Sequence, residues 1–195
     1  MFQKIVNKVK RKLRIPIRYP SETSKVRSLV IEFCKGYGCD IGFGGDKIKE
    51  DAVGIDFTNP YANTGGDKVD IGCDVIKDEI PVPDNTYDYV YSSHLIEDFE
   101  DTGAGLRKFI KVLKHSGLLI LVFPDQRVYE EHCRKSGQAL NLYHKHADMG
   151  LTFMLDKLKA LQEISFEILF SSNCAIDYNV IIIAKILKHG ANQAV

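Results

Sequence analysis

The stretch that decides how this chain is read is GCDIGFGGDKI, Gly38 to Ile48. Apolar residues on either side of Asp40 read as a strand. It stops in a loop with glycines at 42, 44 and 45. Glycine permits positive φ and lets a bound group lie against backbone. A strand ending in such a loop, at the carboxyl edge of a parallel sheet, is where α/β proteins place nucleotides. Three glycines alone are equally compatible with a plain turn, so the neighbouring strands have to decide.

The second strand, AVGIDF (52–57), finishes at Asp56, and the third, KVDIGCDV (68–75), at Asp74. An acid at the end of the second strand can accept both hydroxyls of a ribose. Its bland alternative is a loop-capping Asx turn. Three successive strands therefore end in a glycine loop or an acid on one edge. That edge suits a nucleoside with hydroxyls and amines and little phosphate. A phosphate site would ask for Lys or Arg at a helix N-terminus, and no G-x-x-x-x-G-K-[ST] run is present.

Further along, YDYVYSS (87–93) reads as a fourth strand. GLLILVFPD (117–125) is a continuous apolar fifth, of the kind buried on both faces of a parallel sheet. Between them, residues 102–117 read as a helix with Leu106, Phe109, Ile110 and Leu113 on one face. Residues 126–135 and 151–162 also read as helices, and 164–172 with 178–187 as a hairpin-like strand pair. Upstream, Ser21 caps a helix carrying Val26, Leu29, Val30 and Phe33 and ending near Gly36. Strands alternating with helices imply an α/β layered domain. The first three connections are too short or too loop-like for helical crossovers, so a reduced helix layer is expected in the first half. The division is a basic amphipathic segment, 1–20, followed by one domain, 21–195.

Composition sets bounds. The chain has 195 residues, 45% hydrophobic and 27% charged, an ordinary globular balance. No apolar run reaches the roughly 18 residues of a membrane span, and the N-terminus lacks the apolar core of a secretory signal. Five cysteines, at 34, 39, 73, 133 and 174, are odd in number and lack a C-x-x-C. They suggest reduced thiols in a cytoplasmic setting and no structural zinc. Net charge is zero, but residues 1–27 hold nine Lys or Arg against one acid, Glu22. The acidic remainder does not suit non-specific nucleic-acid binding.

From about residue 36 to 125 the sequence resembles class I S-adenosylmethionine (SAM)-dependent methyltransferases of the small-molecule type. CDIGFGGDKI is similar to the family's first motif, commonly D-x-G-x-G-x-G. That implies Asp40, Gly42, Phe43, Gly44 and Gly45 around the methionine part of the cofactor. GIDF resembles the ribose-binding segment, implying Asp56 with Phe57 beside it. The block from 71 to 98 implies Asp74 at the adenine amino group, with Val75 and Ile76 beside the ring. It also places Ser92, Ser93 and His94 beside the transferred methyl. LRKFIKVLKHSGLLILVFPD is similar to the helix and strand usually reading RVLKPGG. The resemblance implies a Rossmann-like, seven-stranded, mostly parallel sheet with an antiparallel last strand and helices on both faces. Two departures stand out. Asp46 occupies the third glycine's place, where a carboxylate would repel the methionine carboxylate unless it faces the amino group. His115 and Ser116 replace proline and the first glycine of LKPGG.

The implied activity is methyl transfer from SAM to a small-molecule, glycan or lipid-linked acceptor. Oxygen is favoured over nitrogen because no Asn/Asp-Pro-Pro-Tyr motif appears. An oxygen nucleophile needs a base. His94 is the expected one, its neutral imidazole suited to proton removal near pH 7; the alternatives are that it fixes the loop or contacts the cofactor. Asp125, Arg127, His144 and His146 are expected to line the acceptor pocket. His-x-His with Asp148 also admits a metal, but a solvated loop is preferred and no metal is expected. The basic head has three readings: a helix docked on the acidic body, a lid over the acceptor, or a membrane-surface helix giving peripheral attachment. Two rivals stay open: a non-catalytic nucleoside-binding domain working with a partner, and a dinucleotide oxidoreductase. Against the latter, GDKIKED is too short and acidic to open a pyrophosphate-binding helix.

Overall fold

A computed structural model describes residues 20–59 and 65–190. Seven strands make one sheet: β1 (Gly38–Ile41), β2 (Val53–Asp56), β3 (Ile71–Gly72), β4 (Tyr87–Ser93), β5 (Leu113–Pro124), β6 (Ile164–Ile176) and β7 (Asn179–Lys188). Their order is β3-β2-β1-β4-β5-β7-β6. The first five run parallel to their neighbours, and β7 runs antiparallel between β5 and β6. The strand order reverses between β1 and β4, so a crevice opens at their carboxyl ends.

Among the described residues four α-helices flank the sheet: α1 (Glu22–Val30), α2 (Thr102–Val112), α3 (Gln126–Ser136) and α4 (Leu151–Lys159). Three start on side-chain caps. The oxygens of Ser21, Asp101 and Asp125 accept from the backbone N–H of Ser24, Ala104 and Val128, satisfying donors that a helix start leaves unpaired. Gly137, at φ 73°, ends α3 in the left-handed region.

The central strands are apolar on both faces, and their alternation sorts the core into two layers. Leu119, Leu121 and Phe123 of β5, with Ile182 and Ala184 of β7, pack with Leu106 and Phe109 of α2 and Met154 and Leu158 of α4. The intervening Ile120, Val122, Ile181 and Ile183 pack with Val26 and Val30 of α1. Tyr89 and Tyr91 of β4 join this second layer, fully buried. Helices thus lie on both faces. Among the described residues no α-helix connects β1 to β2 or β3 to β4, the reduced layer expected from the short connections.

The element ends differ from expectation in two informative places. The third strand shrinks to Ile71–Gly72, an edge position where the Asp70 N–H still donates to Gly54 O at 2.9 Å but its carboxylate, not its carbonyl, takes the N–H of Gly54 at 2.7 Å. The helix expected to reach Gly117 stops at Val112, and β5 begins at once. Leu113 pairs with Tyr87, a bulge follows, and pairing resumes at Leu118 with Tyr89. Ser116 takes φ 64° within that bulge. The departure from LKPGG is therefore absorbed by a non-glycine residue in a conformation that favours glycine. Residues 1–19, and with them the three readings of the basic head, lie outside the described residues. Among those described, no helix is long and apolar enough to cross a membrane.

Candidate cofactor and acceptor site

The glycine loop is a built object. Gly42, Gly44 and Gly45 take φ of 73°, 55° and 80°. A Cβ on Gly42 would come 2.8 Å from Cδ2 of Leu95, so that position is closed to side chains twice over. Side chains and carbonyls hold the rest. The N–H of Gly42 donates to Ile55 O at 2.8 Å, and that of Gly44 to Asp56 Oδ2 at 2.9 Å. The N–H of Ile48 donates to Asp40 Oδ2 at 2.7 Å.

Asp40 and Phe43 are buried beneath the loop and shape it from below. Burial pushes the Asp40 carboxyl well above its ordinary value, opposed by the Ile48 hydrogen bond. Asp56 also receives the N–H of Phe57 at 2.7 Å. Burial raises its carboxyl, and its two backbone donors hold it down.

Beyond the loop lies a cavity of about 570 Å³. Phe57, Asp74, Ile76, Leu95, Asp98 and Phe99 form part of its wall, and Tyr143 and Lys145 border it from the segment after α3. That segment is stitched down. The N–H of Lys145 donates to Glu97 O at 2.9 Å, and His146 Nε2 donates to Phe99 O at 2.8 Å. Asp74 caps its own turn and pairs with Lys77 at 2.9 Å. Val75 is buried behind it.

The end of β4 holds the feature that the sequence did not announce. Ser92 is buried and donates to Ile41 O at 2.9 Å, tying β1 to β4. Ser93 is buried too. His94 follows in the left-handed region, at φ 55°. Its Nε2 donates to Asn179 Oδ1 at 2.6 Å, and its Nδ1 lies 3.2 Å from Glu97 Oε1. Both ring nitrogens therefore face oxygens, which suits an imidazolium. Burial disfavours that charge, but Glu97, Glu22 and Asn179 outweigh it and bring the pKa to about 9. A pKa there favours the imidazolium at neutral pH, in contrast to the neutral imidazole expected of a base.

Around His94 the acids are organised. Glu22 of α1 accepts from Tyr178 Oη at 2.8 Å, Asn179 Nδ2 at 3.0 Å and Lys25 Nζ at 2.9 Å. Burial would raise its carboxyl, yet His94, Asn179 and Lys25 bring it below the usual value. Glu97 is 1% exposed, neither of its carboxylate oxygens has a hydrogen-bond partner, and its contact with His94 is an ion pair. Beside it, Asp98 is lifted to about 7 by burial and by the Glu97 charge. The one visible sequence signal was the His94-x-x-Glu97 spacing, which a 3₁₀ turn over Ile96–Asp98 makes into a contact.

The four expected acceptor residues do not converge. Asp125 is the cap of α3, and Arg127 is exposed on its first turn. His144 Nδ1 donates to Gln126 Oε1 at 2.7 Å, and burial lowers its pKa. His146 points instead to Phe99 O and to Thr102 Oγ1, 3.0 Å away. The His-x-His pair is therefore split between two anchors.

The sheet order and the loop at its switch point define a Rossmann-like methyltransferase fold. Residues 36–121 match the family described as a methyltransferase domain. No curated protein matches the sequence. A SAM-dependent methyltransferase from Thermotoga maritima superposes with TM-score 0.60 at 18% identity, covering 96% of this chain and 98% of that one. One from Archaeoglobus fulgidus gives TM-score 0.58 at 18% identity, over 91% and 97%. One from Mesorhizobium loti gives 0.58 at 12% identity, over 85% and 98%. Over residues 36–121 the chain is similar to the methyltransferase-domain family, and its fold is the one these SAM-dependent methyltransferases share.

Proposed function

We propose that this chain catalyses methyl transfer from SAM to a small-molecule, glycan or lipid-linked acceptor, on oxygen. The observation that carries the reading is the glycine loop clamped by Asp56, whose chain neighbour Phe57 lines the 570 Å³ cavity. The residues fit the cofactor. Backbone at Gly42, Gly44 and Gly45 would meet the methionine end, and Asp56 the ribose. Asp74 would meet the adenine amino group, between the apolar walls of Phe57, Ile76 and Leu95. Bound SAM supplies an electrophilic methyl that needs only in-line attack.

The protein's own share is positioning and a proton acceptor. His94 already carries its proton, so its part is to hold the β4 edge by its bonds to Glu97 and Asn179. We put forward Asp98 as the base, because it lines the cavity and its carboxyl sits near 7, where it can gain or lose a proton. In that step the acceptor O–H proton passes to the Asp98 carboxylate as the oxygen takes the methyl. The missing Asn/Asp-Pro-Pro-Tyr motif supports oxygen over nitrogen.

A second reading is favoured by the engaged His94: a SAM-binding domain that works with a partner and has no turnover of its own. Calorimetric titration with S-adenosylhomocysteine (SAH), with NAD as control, tests the site. Transfer of radiolabelled methyl to a panel of hydroxyl and amine acceptors then tests catalysis. Micromolar SAH binding with transfer to a hydroxyl acceptor supports the first reading, and binding without transfer to any acceptor supports the second. Binding of NAD in place of SAH would overturn both.

A further inference from the structure

Asp46 stands where the related motif has its third glycine, and its charge has been given a specific answer. Arg27 of α1 reaches across 19 residues of sequence to Asp46 Oδ1 with Nη2 at 2.6 Å. The same nitrogen donates to Lys47 O at 2.9 Å, and Nε donates to Ile48 O at 3.1 Å. Ser21 donates its hydroxyl to the other carboxylate oxygen of Asp46. Ile48 is thereby held at both of its backbone polar groups, by Arg27 at the carbonyl and by Asp40 at the N–H.

Four carboxylates surround this loop: Asp40, Asp46 and Asp56, with Asp67 accepting from the Lys47 N–H at 2.9 Å. Burial does most to raise the Asp40 carboxyl, Asp46 and Asp56 add to it, and Arg27 opposes them. Lys47 and Lys49, nearby on the same loop, pair with Asp70 and Asp51. A planar guanidinium can serve a carboxylate and two carbonyls together, which a lysine ammonium cannot match.

We propose that Arg27 is the positioning residue of the cofactor loop: it fixes residues 46–48 and cancels the carboxylate that replaces the third glycine. The inference rests on the reading of this loop as the SAM site. It also gives α1 a double duty. Its first turn reaches the His94 network through Glu22, and its last turn holds the glycine loop. A cofactor carboxylate arriving at the loop would then meet a neutralised Asp46. Without Arg27 it would meet a bare negative charge.

The test is a mutant cycle on the full chain with two readouts: SAH affinity by calorimetry and hydrogen exchange over residues 42–48. Arg27→Met should weaken SAH binding about tenfold, the scale of one lost charge-assisted hydrogen bond, and speed exchange in the loop. Arg27→Lys should fall between the two. Asp46→Gly alone should bind close to wild type. In the Arg27→Met background it should restore affinity to within about threefold, since the repelling charge is gone. A merely structural role for Arg27 predicts no such rescue. Unchanged affinity in Arg27→Met, or a double variant as weak as the single one, overturns the proposal. If the wild type binds no SAH, the cofactor reading fails by itself. The exchange data then decide the remainder: faster exchange in Arg27→Met upholds the staple, and unchanged exchange removes it.

Discussion

His94 makes a prediction about stability that its position forces. Its folded-state pKa is raised from 6.5 to about 9. The extra proton affinity of the folded state is a stabilising contribution, present in full below pH 6.5. It is lost as pH rises through 9. A shift of that size corresponds to about 3 kcal/mol, of which about 2 kcal/mol should remain at pH 7.5. The source is local: Glu97 at 3.2 Å and Asn179 at 2.6 Å, with Glu22 Oε2 at 3.9 Å.

The control variant is His94→Asn. Asparagine tolerates the left-handed backbone that residue 94 adopts at φ 55° better than most residues, so the comparison isolates the charge. Urea unfolding at constant ionic strength, at half-unit steps from pH 6 to 9.5, gives both curves. Wild type should lose most of that roughly 3 kcal/mol across the window, and the variant should not. Asp98 ends its own titration near pH 7, so the limb above 7.5 is the cleaner part. Parallel curves above pH 7.5 would refute the imidazolium and return His94 to candidacy as a neutral base.

Other variants probe the rest of the site. Asp56→Ala should weaken SAH binding about tenfold or more, since the carboxylate that clamps Gly44 and would take the ribose is gone; affinity within twofold by calorimetry would remove Asp56 from the site. Asp98→Asn should abolish transfer yet raise the unfolding free energy at pH 8 by up to about 4 kcal/mol, because a carboxyl lifted to about 7 is an unfavourable buried anion there. Urea unfolding at pH 5 and pH 8 checks the sign: the gain should shrink at the lower pH. Gly38→Ala should cost about 3 kcal/mol. Its Cβ would fall 2.1 Å from a ring carbon of Tyr89, which is fully buried and cannot yield. A thermal midpoint within a degree or two of wild type would contradict that packing.

Much of the fold was legible because its signals are local and periodic. The apolar run 117–125 is uninterrupted because β5 is buried on both faces, so inclusion in the sheet needed no knowledge of partners. The glycines at 42, 44 and 45 were legible because each meets a backbone demand of its own. The length of the third strand was not, since on an edge strand a side chain such as Asp70 can take the neighbour's N–H in place of a carbonyl. Nor was the stop at Val112. A helical pattern continues through Leu113 in sequence, and only pairing with Tyr87 turns that residue into strand.

The polar half of the site was hidden for a different reason. Glu97 and Asp98, in HLIED, carry no signal of their own in the sequence, because charged residues usually stay in solvent. What buries them is the return of distant chain: Asn179 from β7 against His94, Glu22 from α1, and the backbone of Lys145 on the carbonyl of Glu97. The same contacts decide the chemistry. A histidine at this edge with one nitrogen free would be a base. With Glu97 and Asn179 each taking a nitrogen, it becomes a cation that holds its neighbours. The sequence therefore placed His94 on the right edge but could not assign its protonation. Four residues on, Asp98 has no such cation hydrogen-bonded to it, and its carboxyl is left near 7 at the cavity wall. The two side chains exchange the roles their residue types suggest: the acids and amide brought up by distant segments raise His94 against its burial, and burial itself raises Asp98.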